Sequence, residues 1–158
     1  MKIEIPNIIV PIIKKGQIDK LNLNQELKNK KVIIFGVPGA FTPTCSEKHF
    51  PGFIKLFSSF KAKKIDDVYC LSVNDHFVMK AWLSTYNNNK NIIGIADGNA
   101  DITKEFDLLV DKSANFMGKR SNRFAMIVEN NFIQKIFIEK SGETNSSCSS
   151  LKTEKYFR

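Results

Sequence analysis

The stretch Lys31-Val-Ile-Ile-Phe-Gly-Val-Pro-Gly-Ala-Phe-Thr-Pro-Thr-Cys45 joins two different sequence patterns. Its first half is a short apolar run bounded by lysines and Gly36, which is typical of a buried central strand. Beyond Cys45, apolar residues recur at helical spacing, which predicts a helix with one face against a sheet: Phe50, Phe53, Ile54, Phe57 and Phe60. Pro51 falls inside this pattern and predicts a kink.

The flanking sequence adds further strands and a helix. Four apolar segments have the length and composition of strands: 67–73, 91–96, 124–128 and 132–138. A helical stretch runs through Trp82 and Tyr86. Asn130-Asn131 separates the last two strands by two residues, which predicts a type I′ hairpin. Strands that alternate with helices and end in a hairpin predict a single α/β domain over residues 1–158, with a central mixed sheet flanked by helices.

Length and composition are those of a globular protein. The 158 residues are 42% hydrophobic, enough for a core without disulfides. Residues 8–13 resemble a signal-peptide core, but Glu4, Asn7 and Pro11 interrupt the pattern, so we expect a first strand instead. The longest apolar stretch is too short to span a bilayer. We therefore expect a cytoplasmic protein with no membrane partner.

The net charge of +8 raises the question of nucleic-acid binding. Lysines are dispersed in pairs along the chain (14–15, 30–31 and 63–64), and no stacking set of aromatic residues alternates with them. This distribution favours solvated surface lysines, and we expect no nucleic-acid partner.

Three cysteines are present: Cys45, Cys70 and Cys148. They form no CxxC pair, which argues against a thioredoxin-type oxidoreductase. No Cys/His cluster has the spacing of zinc ligands, so no metal is expected. An odd number of cysteines indicates individual thiols, one of which could be reactive.

The segment around Cys45 suits a reactive thiol. Thr42 is a good helix N-cap and Pro43 fits the first helical position. Cys45 then falls in the first turn, where free backbone N–H groups and the helix dipole stabilise a thiolate and lower its pKa. A small apolar residue at a helix start is the alternative when Cys45 is considered alone.

Three long motifs resemble the peroxiredoxin family, specifically its peroxiredoxin-5 (type II) subfamily. The first runs from Gly36 to Ser46 and continues through His49 and Pro51-Gly52. The second is Leu71-Ser-Val-Asn-Asp75 with Phe77, Val78 and Trp82, and the third is Gly118-Lys-Arg-Ser-Asn-Arg-Phe-Ala-Met-Ile-Val128. The similarity extends from about residue 5 to residue 138. It implies a thioredoxin-like fold and reduction of hydrogen peroxide and organic hydroperoxides, without metal or bound cofactor.

The resemblance also implies residue roles. Pro38 would shield the site, Thr42 would hydrogen-bond the peroxide, Cys45 would be the nucleophile and Arg123 the activating cation. Arg120 lies three residues before Arg123. If both were on one strand, an odd spacing would point them to opposite faces, but Arg120 in a preceding turn could still lie nearby.

The remaining histidines and cysteines have less specific predicted roles. His49 could assist the site, although packing or capping is expected. Cys70 is expected to be a buried inert thiol and His76 a surface residue. Cys148 lies in a polar serine-rich stretch and either resolves the Cys45 sulfenic acid or is incidental, in which case an external thiol reduces Cys45.

The expected activity requires a reductant, and there is one alternative function from another class. Glutathione with glutaredoxin, or thioredoxin, would be the reductant, and family members are often homodimers, with contacts expected near Phe41 and Phe77. A redox sensor or holdase that uses Cys45 without turnover is the rival from another class.

Overall fold

The computed structural model describes residues 3–43, 50–86 and 92–139. Nine strands are present in these ranges: β1 (Ile9–Lys14), β2 (Gln17–Asn22), β3 (Lys31–Val37), β4 (Asp67–Ser72), β5 (Ile92–Ala96), β6 (Leu109–Asp111), β7 (Lys119–Ser121), β8 (Phe124–Glu129) and β9 (Phe132–Ile138). The helices are α1 (Leu23–Glu26), α2 (Phe50–Lys55), α3 (Phe57–Ala62), α4 (His76–Ser84) and α5 (Asp101–Glu105), with a 3-10 turn at Ser113–Asn115.

Seven of these strands form one mixed sheet in the order β2-β1-β5-β4-β3-β8-β9. β3, β4 and β5 are parallel neighbours, because helices connect each of them to the next. β1, β8 and β9 join antiparallel. The expected α/β domain with a central mixed sheet is confirmed. The parallel strands end at one edge of the sheet, where the loops after β3, β4 and β5 meet.

Each face of the sheet carries its own hydrophobic core. On one face, Phe35 and Cys70 pack with side chains from α2, α3 and α4, including Trp82. On the other, Ile34 and Tyr69 pack with side chains from α1 and α5. Successive side chains along β3 and β4 point to opposite faces of the sheet, so each of these strands is covered by a hydrophobic core on both sides. The buried position expected for Cys70 is confirmed.

The phenylalanine-rich helical pattern forms two short helices. Phe35 and Phe53 stack with ring centroids 4.0 Å apart, and Phe50 lies 4.4 Å from the ring of Tyr86. An interruption falls at Leu56, between α2 and α3. The kink predicted at Pro51 would involve the residues before it, and residues 44–49 lie outside the described residues, so it stays a prediction.

Two hairpins frame the sheet. Asn130 and Asn131 have φ angles of 47° and 67°, as a type I′ turn requires, so this predicted hairpin is confirmed. Residues 9–14 form β1, which pairs with β2 and β5, and the expectation of a first strand here is also confirmed. Lys15 and Gly16 turn the chain between β1 and β2 with φ angles of 49° and 80°. That hairpin was not anticipated.

A half-buried polar cluster joins α1 to the sheet. The Tyr69 hydroxyl donates a hydrogen bond of 3.0 Å to Glu26, which also pairs with Lys14 and with Lys30. Burial by itself would raise the pKa of Glu26, but the bond from Lys14 and the charges of both lysines outweigh it and lower that pKa. Burial and the neighbouring Glu26 charge raise the pKa of the Tyr69 hydroxyl, which therefore stays a donor.

Within the described ranges, none of the helices is long and apolar enough to cross a membrane. The same ranges hold no group of three or more His, Cys, Asp or Glu residues placed to bind a metal ion.

Candidate active site

The candidate site lies at the carboxyl ends of the parallel strands, a usual place for sites in α/β sheets. The structure places Pro38 and Thr42 in the loop after β3, Arg120 beside that loop, and Arg123 directly before Phe124, which pairs with Gly36 near the end of β3. Cys45, His49 and Cys148 lie outside the described residues, so their predicted roles stay predictions.

The loop after β3 is held in place by a hydrogen bond to the loop after β4. The side-chain carbonyl of Asn74 accepts the backbone N–H of Ala40 at 3.0 Å and also accepts the Ser72 hydroxyl. Asn74 directly precedes Asp75, whose side chain accepts from Val78 N at 2.8 Å and caps α4. The second sequence motif therefore supports the first by hydrogen bonding.

Thr42 is placed to accept a hydrogen bond. Its hydroxyl lies 2.7 Å from the carbonyl oxygen of Gly39. Because a carbonyl only accepts, the Thr42 proton points at Gly39, and the lone pairs of Thr42 remain for an incoming O–H group. In this geometry Thr42 can bind a peroxide hydroxyl, but it does not also donate to a thiolate. The backbone groups that Thr42 would cap lie outside the described residues.

Arg120 reaches the same loop. Its Nε donates to Met117 O at 2.8 Å and its Nη1 to Val73 O at 3.3 Å. A Cβ built on Gly39 would lie 3.2 Å from Nη1 of Arg120 and 3.1 Å from Cγ2 of Thr42. Arg120 belongs to β7, not to the strand that follows Arg123, so the argument that placed the two arginines on opposite faces does not apply.

Arg123 is buried, with 7% of its surface exposed. Its Nε lies 2.7 Å from Oε2 of Glu139, and the backbone N–H of Glu139 donates to Arg123 O at 2.9 Å. The pair is therefore an internal one and not a surface salt bridge. A buried guanidinium needs such a counter-charge, because desolvation of an isolated ion is expensive.

Close packing between β3 and β8 sets the position of Arg123. Gly36 pairs with Phe124, and a Cβ on Gly36 would lie only 2.0 Å from Cε1 of that ring. Only glycine leaves room for the ring at this point. Arg123, the residue before Phe124, consequently lies alongside the end of β3 where the loop of Pro38 begins.

Two residues of this arrangement were missed as individual contributors. Asn74 stood inside the second motif, and an Asn directly before the helix cap Asp75 was the available signal. Glu139 had no local signal, because it follows an amphipathic strand in the manner of many surface carboxylates. His76, expected at the surface, is partly buried and lies against the ring of Phe77 with centroids 4.2 Å apart.

The lysine pairs 30–31 and 63–64, which are far apart in the sequence, line one surface hollow at the opposite end of the sheet. The hollow also contains Asp66 and Glu129, and Lys30 is paired with Glu26 and Asp67. The lysines are thus less dispersed in space than in sequence, but acidic residues are interspersed among them.

The relatives of this chain identify its family. It matches the Redoxin family over residues 4–153. It is 41% identical to peroxiredoxin-2B of Arabidopsis thaliana over 147 residues, covering 87% of this chain and 91% of that protein. This chain is a peroxiredoxin of the type II, peroxiredoxin-5-like kind.

Solved peroxiredoxin structures have the same fold. Reduced Prx3 of Vibrio vulnificus in complex with hydrogen peroxide superposes with a TM-score of 0.91 at 37% identity, covering 98% of this chain and 96% of that one. The antioxidant protein of Plasmodium falciparum, a 1-Cys peroxiredoxin, also gives 0.91, at 34% identity and the same coverage. The thioredoxin-like fold is confirmed, and this peroxiredoxin is a thiol-dependent peroxidase with an antioxidant function.

Proposed function

We propose that peroxide is reduced at the loop of Pro38 to Thr42, with Cys45 as the nucleophile. The observation that carries this assignment is the hydrogen bond from Thr42 to Gly39, which leaves the Thr42 lone pairs ready for a peroxide O–H. Pro38 is half-buried at the start of the loop, and its proposed role is to shield the thiol from water. Arg123, the residue before β8, supplies positive charge, and its pairing with Glu139 fixes its orientation.

The reaction is a displacement at oxygen. The Cys45 thiolate attacks one peroxide oxygen, the O–O bond breaks, and the other oxygen leaves with the bonding electrons and takes a proton to become water or an alcohol. Cys45 is oxidised to a sulfenic acid. Donors aimed at the peroxide oxygens stabilise the charge that moves onto the leaving oxygen.

Replacement of the nucleophile tests this assignment. Cys45→Ser keeps the side-chain volume but has no accessible alkoxide at neutral pH, so peroxide consumption with a supplied reductant is expected to be lost. Cys70→Ser is the matched control: Cys70 is buried in β4, so activity should persist, apart from a stability cost. Turnover in the Cys45→Ser variant would overturn the proposal, and a wild-type protein that oxidises once without turnover would favour the sensor or holdase reading.

We further propose that Cys148 resolves the Cys45 sulfenic acid by forming an intramolecular disulfide, with release of water, which an external thiol then reduces. Its polar serine-rich surroundings in the sequence support an accessible thiol. The alternative is direct reduction of Cys45 by an external thiol. One relative of the same fold is described as a 1-Cys peroxiredoxin, which supports that alternative equally.

Disulfide mapping separates the two cycles. After one equivalent of peroxide, peptide mass spectrometry without reductant should show a Cys45–Cys148 linkage within one chain. Sulfenic acid on Cys45 alone, with full turnover of Cys148→Ser, would establish the one-cysteine cycle. The same assay with glutathione and glutaredoxin against thioredoxin identifies the reductant, and comparison of hydrogen peroxide with an alkyl hydroperoxide identifies the preferred substrate.

We propose a homodimer that associates through exposed phenylalanines around the site. Phe41 is 55%, Phe77 73% and Phe116 99% exposed. Exposed clusters of large apolar side chains commonly mark interfaces. Sedimentation analysis should show a dimer that Phe77→Asp dissociates, whereas Ile3→Asp, a control at the edge of β9, should leave it intact. A wild-type monomer would contradict this.

We also propose that the protein acts in the cytoplasm. Residues 9–14 belong to the folded sheet as β1, which supports their retention in the working protein. Fractionation of the source cells with an antibody against the protein tests this, and recovery in an organelle or outside the cell would contradict it.

A further inference from the structure

We infer that Arg120 is a positioning residue for peroxide reduction, acting through Thr42 and not on the thiol itself. The inference rests on the proposed function of the Pro38–Thr42 loop. Its basis is that one guanidinium joins the three loops that surround that site.

The first step concerns the two carbonyl contacts of Arg120. Nε binds Met117 O at 2.8 Å, in the segment before β7, and Nη1 binds Val73 O at 3.3 Å, in the loop after β4. These carbonyls belong to segments that no strand pairing joins, so the rigid fork of the guanidinium sets their separation. A lysine, with one point-like ammonium, could satisfy one carbonyl but would not hold both in the same geometry.

The second step concerns the third loop. Nη1 of Arg120, Cγ2 of Thr42 and Cε of Met117 surround the same side of Gly39, at 3.2, 3.1 and 3.4 Å from the position a Cβ would take there. Gly39 is buried, so these groups cannot separate without opening a gap. Arg120 therefore forms one wall of the space in which Thr42 is fixed.

The third step connects this wall to the chemistry. The Thr42 hydroxyl is directed by its bond to Gly39 O, and the neighbouring Ala40 N–H is held by Asn74. If the Arg120 side chain is shortened, Gly39 and Thr42 can rotate. The Thr42 hydroxyl oxygen is then no longer directed at the peroxide. Small errors of position in a bound substrate are costly for rate.

A double-mutant cycle tests the inference. Arg120→Met should lower kcat/KM for hydrogen peroxide by about tenfold, while the rate constant for reduction of oxidised enzyme by the thiol donor stays within about twofold of wild type. In the Thr42→Val background, Arg120→Met should cost less than about twofold, because its effect passes through Thr42. Arg120→Lys should recover part of the loss.

Two further variants keep the test decisive. Gly39→Ala places a methyl group against Thr42 and Arg120. It should reproduce the kinetic defect of Arg120→Met, which keeps the test valid even if Arg120→Met folds poorly. Lys119→Met, on the same strand but exposed and paired with Asp111, should leave both half-reactions unchanged. Equal costs of Arg120→Met with and without Thr42, or equal losses in both half-reactions, would overturn the inference. The proposed function fails separately, through turnover by Cys45→Ser.

Discussion

Arg123 and Glu139 form a charge pair inside the protein, with Nε of the arginine 2.7 Å from Oε2 of the glutamate. The pair lies where β9 ends beside the start of β8. A carboxylate in this position both compensates the buried charge and fixes the direction of the guanidinium.

Loss of this carboxylate should destabilise the fold. Glu139→Ala leaves the charge of Arg123 without its close counter-ion, which is expected to cost about 3–5 kcal/mol in the free energy of unfolding measured with urea. Glu139→Gln retains an acceptor and should cost less. Asp111→Asn, which removes the exposed pair with Lys119, is the control and should cost less than about 1 kcal/mol. A Glu139→Ala cost no larger than the control would show that the pair contributes little.

The two arginines should differ in their effect on rate. Arg123→Ala removes a charge-assisted hydrogen bond of about 1.5–3 kcal/mol and should slow peroxide reduction by roughly tenfold to two-hundredfold. Arg120→Ala acts through loop position and should cost less. Stopped-flow measurement of Cys45 oxidation by hydrogen peroxide compares them, and equal losses would mean that both guanidinium groups contact the peroxide.

Glu26 should make stability depend on acid pH. Its pKa is lowered below its ordinary value of 4.5 in the folded state, so its stabilising effect is complete above that value and is lost as the pH falls through the folded pKa. Glu26→Gln should therefore lower the free energy of unfolding at pH 7 more than at pH 3. Glu105→Gln, an exposed carboxylate on α5, is the control. A constant difference between wild type and Glu26→Gln at both pH values would contradict the prediction.

Gly36→Ala should be strongly destabilising. The new Cβ would lie 2.0 Å from the buried Phe124 ring, so β8 or the ring must shift, at a cost of about 1–3 kcal/mol or more. Because that shift also displaces Arg123, the peroxidase rate should fall as well. At Gly98 the nearest atom to an added Cβ is 3.5 Å away, and Gly98→Ala should be tolerated. Thermal unfolding and peroxide turnover of the two variants, measured together, check this prediction.

Much of the fold follows from local sequence alone. The apolar runs at β3, β4 and β8 can be buried only as central strands, and the pair Asn130-Asn131 adopts the positive φ angles that close the last hairpin. These features depend on residues close together in the chain. The motif that ends at Cys45 likewise indicated a peroxidase, through its resemblance to the peroxiredoxin family.

Tertiary structure decided which side chains meet. Glu139 became the partner of Arg123 and Arg120 reached Gly39 because β7, β8 and β9 return the chain to the end of β3. Such contacts join residues far apart in sequence, so no local pattern records them. A strand period can state that two arginines point in opposite directions, but only packing reveals that Arg120 lies against Gly39 while Arg123 pairs with Glu139.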